Sequence, residues 1–286
     1  MPSLRVAVVG HVEWASFVRV PRMPRAGEIV HASGAWEVAG GGGAVVAVQL
    51  ARLAGGAVLF TALGDDDLGQ RAAEDLGGRG VRVVAAVRRE PQRRVLVHVD
   101  GRGERTITVI GERMGPRRRD PLPWGELAGF DAVFFTAGDA GVLRAARAAR
   151  VLGATPRALP TLATARVPLD VLVGSGRDAG ERYRPGDLLP PPALTVWTEG
   201  GRGGRWRAGD GRRGRFAAAP LPGPVADAYG CGDSFAAGLT FGLAAGLETE
   251  AALELGARCG AACCTGRGPY EGRLGVRRPA GGRRSG

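Results

Sequence analysis

At 286 residues, 44% of them hydrophobic, the chain is long enough for one large α/β domain, and it contains no apolar run long enough to span a membrane. Its formal net charge of +11 comes from 39 basic residues that are all Arg; because Lys is absent, the chain has no Walker-A lysine, no protein-kinase strand lysine and no Schiff-base lysine. Most of these arginines are scattered and are not interleaved with aromatic residues, so we expect no nucleic-acid partner.

The chain begins with a predicted strand at 4–10, a short apolar run that ends in glycine, as buried parallel strands do. The sequence at this end lacks the basic, apolar and cleavage regions of a signal peptide, so we expect a cytoplasmic protein. Two exposed strands are predicted at 13–20 and 28–37, separated by a connection rich in Pro and Gly. Two strands that leave a sheet directly after its first strand predict a small β lid.

A run of four glycines, Gly40–Gly43, leads into the next predicted helix. Because glycine has no Cβ, the backbone of such a turn can approach a ligand closely. After the following strand, Asp65–Asp67 precede another helix, and acids are favoured at a helix N-terminus. We expect these acids to cap that helix.

Strand and helix patterns alternate through the middle of the chain. Three further strands are predicted at 81–87, 93–100 and 103–110, and two strand–helix units at 130–150 and 169–183. This alternation predicts a parallel sheet with helices on both faces. The segment 209–214 reads G-x-G-x-x-G, but proline-rich sequence follows it where a dinucleotide site needs a helix, so we expect a hairpin tip there.

The segment Asp227–Phe235, DAYGCGDSF, carries the strongest functional signal. A glycine-flanked turn opens a helix predicted to begin near Cys231, so the first backbone N–H groups of that helix have no intrahelical acceptor. The helix dipole adds partial positive charge at the same place, which suits phosphate. Asp233 lies among these donors, an unusual position for an acid unless it handles a proton. The pattern therefore predicts phosphoryl transfer to a hydroxyl.

This segment resembles the D-T-x-G-A-G-D-x-F-x-x-G signature of the ribokinase-like (PfkB) carbohydrate kinases, with small residues at the two departures, Ala228 and Cys231. The resemblance implies an α/β fold, a ribokinase-like three-layer α/β/α sandwich with a mostly parallel central sheet and a small β-sheet lid. The kinase domain is expected at 1–276, with lid strands within about 12–38 and 93–110. The Gly/Arg/Pro-rich segment 277–286 is expected to be a disordered basic tail.

The resemblance also implies a kinase that uses ATP and Mg²⁺. Asp233 is the expected catalytic base, and the N–H groups of Gly230, Cys231, Gly232 and Asp233 the expected anion hole. The residues expected to bind the nucleotide are Thr198, Gly200 and Gly203, which match T-x-G-x-x-G, together with Asp227, Gly230 and Gly232. The residues expected to bind the acceptor are Glu13, Gly40, Gly41, Gly43 and Asp233.

The chain departs from the family pattern at the positions that usually contact sugar and metal. Gly42, Val45, Glu13 and Ala15 stand where the family has Lys, Asn, Asn and Asp. The family's N-x-x-E segment corresponds to Ser175–Asp178, which leaves Asp178, or Glu181 acting through water, as the metal candidate. The fold expectation survives these changes, but the identity of the acceptor does not follow from them.

Three functions therefore stay open on the sequence. The first is a kinase for a sugar or sugar-like hydroxyl. The second is a nucleoside kinase of the same fold, with Trp14, Phe17 or Trp36 stacked on a base. The third is a sugar- or nucleotide-binding regulatory protein that has lost turnover. The resemblance also suggests a homodimer formed through the lid.

Overall fold

Two sheets contain the strands of the computed structural model, which describes residues 4–275. The strands are β1 (Val6–Val9), β2 (Glu13–Arg19), β3 (Gly34–Gly40), β4 (Ala57–Gly64), β5 (Val81–Arg88), β6 (Arg94–Val99), β7 (Arg105–Ile110), β8 (Ala132–Phe135), β9 (Val151–Ala154), β10 (Val171–Ser175), β11 (Leu194–Thr198), β12 (Gly204–Ala208) and β13 (Arg213–Phe216). The helices are α1 (Gly42–Ala54), α2 (Asp67–Gly78), α3 (Ala140–Ala146), α4 (Leu159–Ala165), α5 (Cys231–Ala244) and α6 (Thr249–Cys264).

The large sheet has nine strands in the order β13-β12-β11-β10-β9-β8-β1-β4-β5. The pairing is parallel for the seven strands β11, β10, β9, β8, β1, β4 and β5. Strands β12 and β13 extend the sheet antiparallel at the β11 edge. The central strands β1 and β8 read VAVV and AVFF and are buried throughout. Such continuous apolar runs fit a parallel sheet that is covered on both faces.

Helices cover both faces of this sheet. One hydrophobic cluster joins one side of the sheet to α1, α2, α5 and α6. A second cluster joins the other side to α3, α4 and the 3₁₀ segment Trp124–Gly129. The predicted three-layer α/β/α sandwich with a mostly parallel sheet is therefore confirmed.

The small sheet has the strand order β3-β2-β6-β7. Phe17 and Trp36 stack across its β2–β3 pair with ring centroids 5.0 Å apart. All six residues of its outer strand β7 are exposed. The turn between β6 and β7 reaches the segment before α5, where the carbonyl oxygen of Gly103 accepts a hydrogen bond of 3.1 Å from Ala228 N–H. The small sheet therefore contacts the segment that carries the strongest sequence signal.

Local predictions mostly match these elements. Helix α5 begins at Cys231, Asp66 caps α2 by accepting a 2.9 Å hydrogen bond from Gly69 N–H, and 209–212 form the tip of the β12–β13 hairpin. The strand expected at 28–37 begins only at Gly34. The tail expected from 277 onward lies outside the described residues.

The helix expected after β10 does not form. Only the 3₁₀ turn Ala179–Glu181 is present, and it is capped by Asp178, whose side chain accepts a 2.8 Å hydrogen bond from Gly180 N–H. Gly176, Gly180 and Pro185 lie within this segment, and these residue types do not sustain a helix. Within the described part of the chain, no helix is both long and apolar enough to cross a membrane.

Candidate active site

The N-termini of α1 and α5 meet at the carboxyl edge of the large sheet. A Cβ placed on Gly42, the first residue of α1, would lie 3.0 Å from Oδ1 of Asp233 in the first turn of α5. The same Cβ would lie 3.6 Å from Cε1 of His11, which follows β1. The fold therefore brings the glycine run and Asp233, almost 200 residues apart in sequence, to one place.

The first turn of α5 presents unpaired backbone donors. Its N-cap, Gly230, has φ of 79°, and a Cβ there would lie 2.9 Å from Cγ1 of Val45 and 3.0 Å from Cβ of Pro269. Among residues 4–275, the N–H groups of 230–233 have no acceptor. A Cβ on Gly232 would meet no atom within 4 Å. This turn therefore has the donors and the free space that an anion needs.

Asp227 stabilises this turn through hydrogen bonds formed inside the protein. Its side chain is fully buried, and its carboxylate accepts hydrogen bonds from Tyr229 N–H at 2.8 Å and Gly268 N–H at 3.1 Å. Burial raises the pKa of this carboxyl, and the two N–H groups oppose that rise. These contacts assign Asp227 to the geometry of the turn, while its predicted contact with the nucleotide stays a prediction.

Tyr229 joins the two helix N-termini. Its buried hydroxyl accepts a 2.9 Å hydrogen bond from Gly41 N–H, directly before α1. Its ring packs edge-on against Phe17 of the small sheet, with centroids 5.1 Å apart. Sequence reasoning did not identify this residue; its only signal was an aromatic side chain within a turn of small residues.

The pKa of the Asp233 carboxyl group is raised towards neutral pH. Its pKa is raised to about 6, first by burial and then by the nearby Glu181 carboxylate, against the opposing effect of Arg105, Arg157 and Arg273. A carboxyl group with such a pKa is ionised at pH 7 and still binds a proton strongly enough to act as a general base.

Glu13 and His11 lie beside the α1 N-terminus. Glu13 Oε1 is 2.8 Å from Nε of Arg93 and 3.8 Å from Nε2 of His11. Burial lowers the pKa of His11 well below its usual value, so its ring is neutral, and Nδ1 lies 3.4 Å from Oγ1 of Thr136. Burial also raises the pKa of Glu13, and the Arg93 guanidinium opposes this rise.

The glycines predicted to contact the acceptor have different surroundings. A Cβ on Gly43 would lie 2.6 Å from the carbonyl oxygen of His11, and one on Gly40 would lie 2.8 Å from the Tyr229 hydroxyl. Gly41 has φ of 86° and lies against Glu13. Packing alone therefore requires glycine at positions 40 and 43, and Gly42 is the residue opposite Asp233.

The predicted nucleotide turn lies at the end of β11, on the same edge of the sheet. Thr198 is the last residue of that strand, and Gly200 and Gly203 have φ of 64° and 78°. A Cβ on Gly203 would overlap the carbonyl oxygen of Phe216. A groove of about 510 Å³ begins at Phe216 and runs between residues 216–222 and α6.

Asp178, the predicted metal ligand, is bound to Arg157. The Asp178 carboxylate contacts Nη2 of Arg157, and Glu181 lies 2.9 Å from Nε of the same guanidinium. Glu181 also accepts a 2.7 Å hydrogen bond from Ser175 N–H. Within residues 4–275, no three side chains of His, Cys, Asp or Glu come together as a metal site. Both acids are thus paired with Arg157, a charged residue that sequence reasoning missed, and the assignment of Asp178 to a metal stays a prediction.

Comparison with known proteins agrees with this fold. The family model described as pfkB family carbohydrate kinase matches residues 3–159 and 191–274. The chain therefore belongs to the pfkB family of carbohydrate kinases.

Curated relatives match parts of the chain. The ribokinase of Dictyostelium discoideum is 32% identical over 108 residues, which cover 37% of this chain and 34% of the relative. The ATP-dependent ribose-1-phosphate kinase of Halopiger xanaduensis is 35% identical over 127 residues, 41% of each chain. The matched part of the chain thus spans well under half the length of these relatives.

Solved structures match nearly the whole chain. Ribokinase from Cryptococcus neoformans in complex with ADP has a TM-score of 0.72 at 23% identity and covers 94% of this chain and 95% of its own. Adenosine kinase from Sinorhizobium meliloti has a TM-score of 0.74 at 20% identity and covers 94% and 96%. At these identities the likeness shows the fold alone.

Proposed function

We propose that the protein catalyses ATP-dependent phosphoryl transfer to a hydroxyl group of a sugar or sugar-like molecule. The observation that carries this proposal is the position of Asp233, which lies among the free N–H groups of α5 and faces Gly42 of α1. One carboxylate with a pKa of about 6 between two helix N-termini suits the joint binding of an alcohol and a phosphate.

In this mechanism ATP supplies the γ-phosphoryl group. Asp233 accepts the proton of the acceptor hydroxyl as its oxygen bonds to the γ-phosphorus, and the bond from that phosphorus to the β–γ bridging oxygen breaks, releasing ADP. The N–H groups of 230–233 stabilise the charge on the phosphoryl oxygens. Tyr229 holds both helix N-termini in register through Gly41. The small sheet covers the acceptor and limits attack by water.

The proposed binding places of ATP and of Mg²⁺ are supported by different observations. The groove beside Thr198–Gly203 and the donors at 230–232 would hold the nucleotide. The proposed Mg²⁺ has weaker support, because Asp178 and Glu181 are paired with Arg157. No step of the mechanism depends on those two acids as ligands.

A nucleoside acceptor is less well supported. Phe17 is stacked on Trp36 and packed against Tyr229, and the ring of Trp14 is covered by the Arg71 guanidinium at 4.4 Å from its centroid. The aromatic side chains that could hold a base are therefore already in contact with protein groups. A regulatory protein without turnover is also less well supported, because the donor turn at 230–233 retains its free N–H groups.

We also propose that the protein forms a homodimer through the small sheet. Its edge strand β7 is exposed along its whole length, and Ile107, Val109 and Ile110 are 40%, 49% and 44% exposed. Unpaired edges with apolar side chains favour association with another strand. A monomeric mass by light scattering would contradict this proposal.

An acceptor screen tests the proposed function directly. We expect ADP release from ATP in the presence of sugars, at a rate above that with nucleosides and above the acceptor-free rate. The control is Asp233→Asn, which should remove the acceptor-dependent signal. If no acceptor stimulates ADP release but sugars or nucleotides still raise Tm, the regulatory function replaces the kinase.

The pH dependence of kcat/KM gives a second test. Because Asp233 must be ionised and its pKa is raised to about 6, we expect log(kcat/KM) to rise with pH below about 6 and to level off above it. This rise is the acidic limb of the pH profile. His11 does not contribute to it, since burial keeps the imidazole neutral. In Glu13→Gln the limb should keep its position even if the rate falls. A limb that disappears in that variant would assign the titration to Glu13 instead.

A further inference from the structure

The segment 268–274, which follows α6, packs against the N-cap of α5. A Cβ on the N-cap residue, Gly230, would lie 3.0 Å from Cβ of Pro269 in this segment. The same Cβ would lie 2.9 Å from Cγ1 of Val45, in the first turns of α1. Val45 and Pro269 therefore enclose the N-cap, and the free N–H donors of α5 follow directly after it.

Arg273 binds the backbone of both enclosing residues. Its Nε donates a hydrogen bond to the carbonyl oxygen of Pro269, and its Nη1 donates one of 3.0 Å to the carbonyl oxygen of Val45. The same Nη1 lies 3.4 Å from Oε1 of Gln49, one turn further along α1. A single guanidinium group thus fixes the position of the two enclosing residues relative to each other.

The charge of Arg273 is buried without an acidic partner. The residue is 8% exposed, and within residues 4–275 it forms no ion pair and its Nη2 has no hydrogen-bond acceptor. The rest of the sequence, 1–3 and 276–286, contains no Asp or Glu. Burying an unpaired charge costs stability, and a neutral donor could also bind a backbone carbonyl. The charge therefore points to a role beyond stability.

Arg273 differs from the other charged groups that act on Asp233. The pKa of Asp233 is raised by Glu181 and lowered by Arg105, Arg157 and Arg273. Arg105 is exposed on β7, and Arg157 is paired with two acids. Of these three arginines, Arg273 is thus the one that is both buried and unpaired within residues 4–275. Its positive charge favours the ionised form of the catalytic carboxyl group.

We propose that Arg273 is a positioning residue for phosphoryl transfer: by holding together the two residues that enclose the α5 N-cap, it keeps the N–H donors of that helix in place beside Asp233. This inference rests on the proposed kinase function. Arg273 acts through the turn and not on the substrates. Movement of either enclosing residue would displace the donors, and a displacement of about 1 Å in a catalytic site can cost about 10² in rate.

The test compares Arg273→Gln with a matched control, Arg52→Gln, in the ADP-release assay. Nη2 of Arg52 donates a 3.1 Å hydrogen bond to the carbonyl oxygen of Tyr270, so Arg52 links the same segment to α1 but does not bind the two residues that enclose the N-cap. We expect Arg273→Gln to lower kcat by about 10- to 100-fold, because glutamine cannot bind both carbonyl oxygens at once. Arg52→Gln should lower Tm and leave kcat unchanged.

The pH profile adds a readout that a purely structural role would not change. Loss of the Arg273 charge should raise the pKa of Asp233 further, so the acidic limb of kcat/KM should move to higher pH in Arg273→Gln. Arg273→Lys keeps the charge but lacks the planar fork of the guanidinium, so the limb should stay in place while kcat lies between those of wild type and Arg273→Gln. His11 is neutral and cannot account for a shift. Arg52→Gln should leave the limb unchanged.

The possible failures can be told apart. A lower Tm with unchanged kcat and an unchanged limb in Arg273→Gln overturns the positioning role and leaves the kinase intact, and so does an equal loss of kcat in Arg52→Gln. If thermal melting shows that Arg273→Gln does not fold, Arg273→Lys decides: a lowered kcat with the limb in place supports the role, and wild-type kcat overturns it. If neither variant folds, Arg273 serves the fold alone and the inference is overturned. Absence of ADP release from the wild-type protein with every acceptor removes the kinase function itself.

Discussion

Replacing Asp233 with asparagine should lower kcat by about 10²–10⁴-fold, the usual effect of removing a positioned general base. Asparagine has nearly the same shape, so the contact with Gly42 and the first turn of α5 are retained, while the ability to accept a proton is lost. KM values should change much less than kcat. The measurement is steady-state ADP release with the best acceptor from the screen.

The same substitution should make the protein more stable at neutral pH. The pKa of Asp233 is raised from 3.8 to about 6 by folding, so the folded state binds a proton more tightly than the unfolded chain. Stability therefore falls as pH rises from about 4 to about 6, and the full cost of the buried charge is present above that range. Asparagine removes this cost, so Tm at pH 7.5 should rise. Near-normal turnover, or a Tm that falls sharply, would contradict the proposed role.

Gly43→Ala should damage both folding and activity. The new Cβ would lie 2.6 Å from the carbonyl oxygen and 2.9 Å from the amide nitrogen of His11, and neither backbone atom can rotate away. Overpacking of this kind costs about 1–3 kcal/mol in the free energy of unfolding. It also shifts α1 relative to β1, so Gly42 moves from its place opposite Asp233. A displacement of about 1 Å can cost about 10² in kcat/KM.

Gly232→Ala is the matched control for this prediction. A Cβ at position 232 meets no protein atom, so chemical denaturation should show an unchanged or slightly higher free energy of unfolding. The methyl group adds bulk to the open side of the turn where phosphate is proposed to bind, so kcat/KM should still fall. Activity equal to wild type in Gly232→Ala would mean that phosphate does not approach this turn. A fully stable Gly43→Ala would mean that the α1–β1 contact is looser than described.

Much of the fold could be predicted because its signals are local. The buried runs of β1 and β8, the helix start at Cys231 and the cap at Asp66 each depend on a few neighbouring residues. The helix expected over residues 177–183 failed for an equally local reason, since Gly180 and Pro185 limit it to one 3₁₀ turn. The alternation of strands and helices along the chain favoured a helix there, whereas the glycine and proline residues did not.

The site could be predicted only in part. Asp233 and the donors beside it follow from one short segment, but the partners of the other charged groups do not. The Tyr229 hydroxyl meets Gly41 across 188 positions, and Arg157 meets Asp178 across 21. No periodicity or motif indicates which arginine approaches which acid in a chain with 39 arginines. Those pairings depend on how the strands are ordered, which the sequence pattern does not determine.

The hydrogen bond between Ala228 N–H and the Gly103 carbonyl has a consequence for how the binding of one substrate affects the binding of the other. It connects the β6–β7 turn of the small sheet to the segment that precedes the α5 donors, so a motion of one displaces the other. Under the proposed mechanism, an acceptor bound beneath the small sheet would also hold the donors for the nucleotide in place, and thermodynamic linkage requires the nucleotide to tighten the binding of the acceptor by the same factor. We therefore expect each substrate to bind more tightly when the other is present.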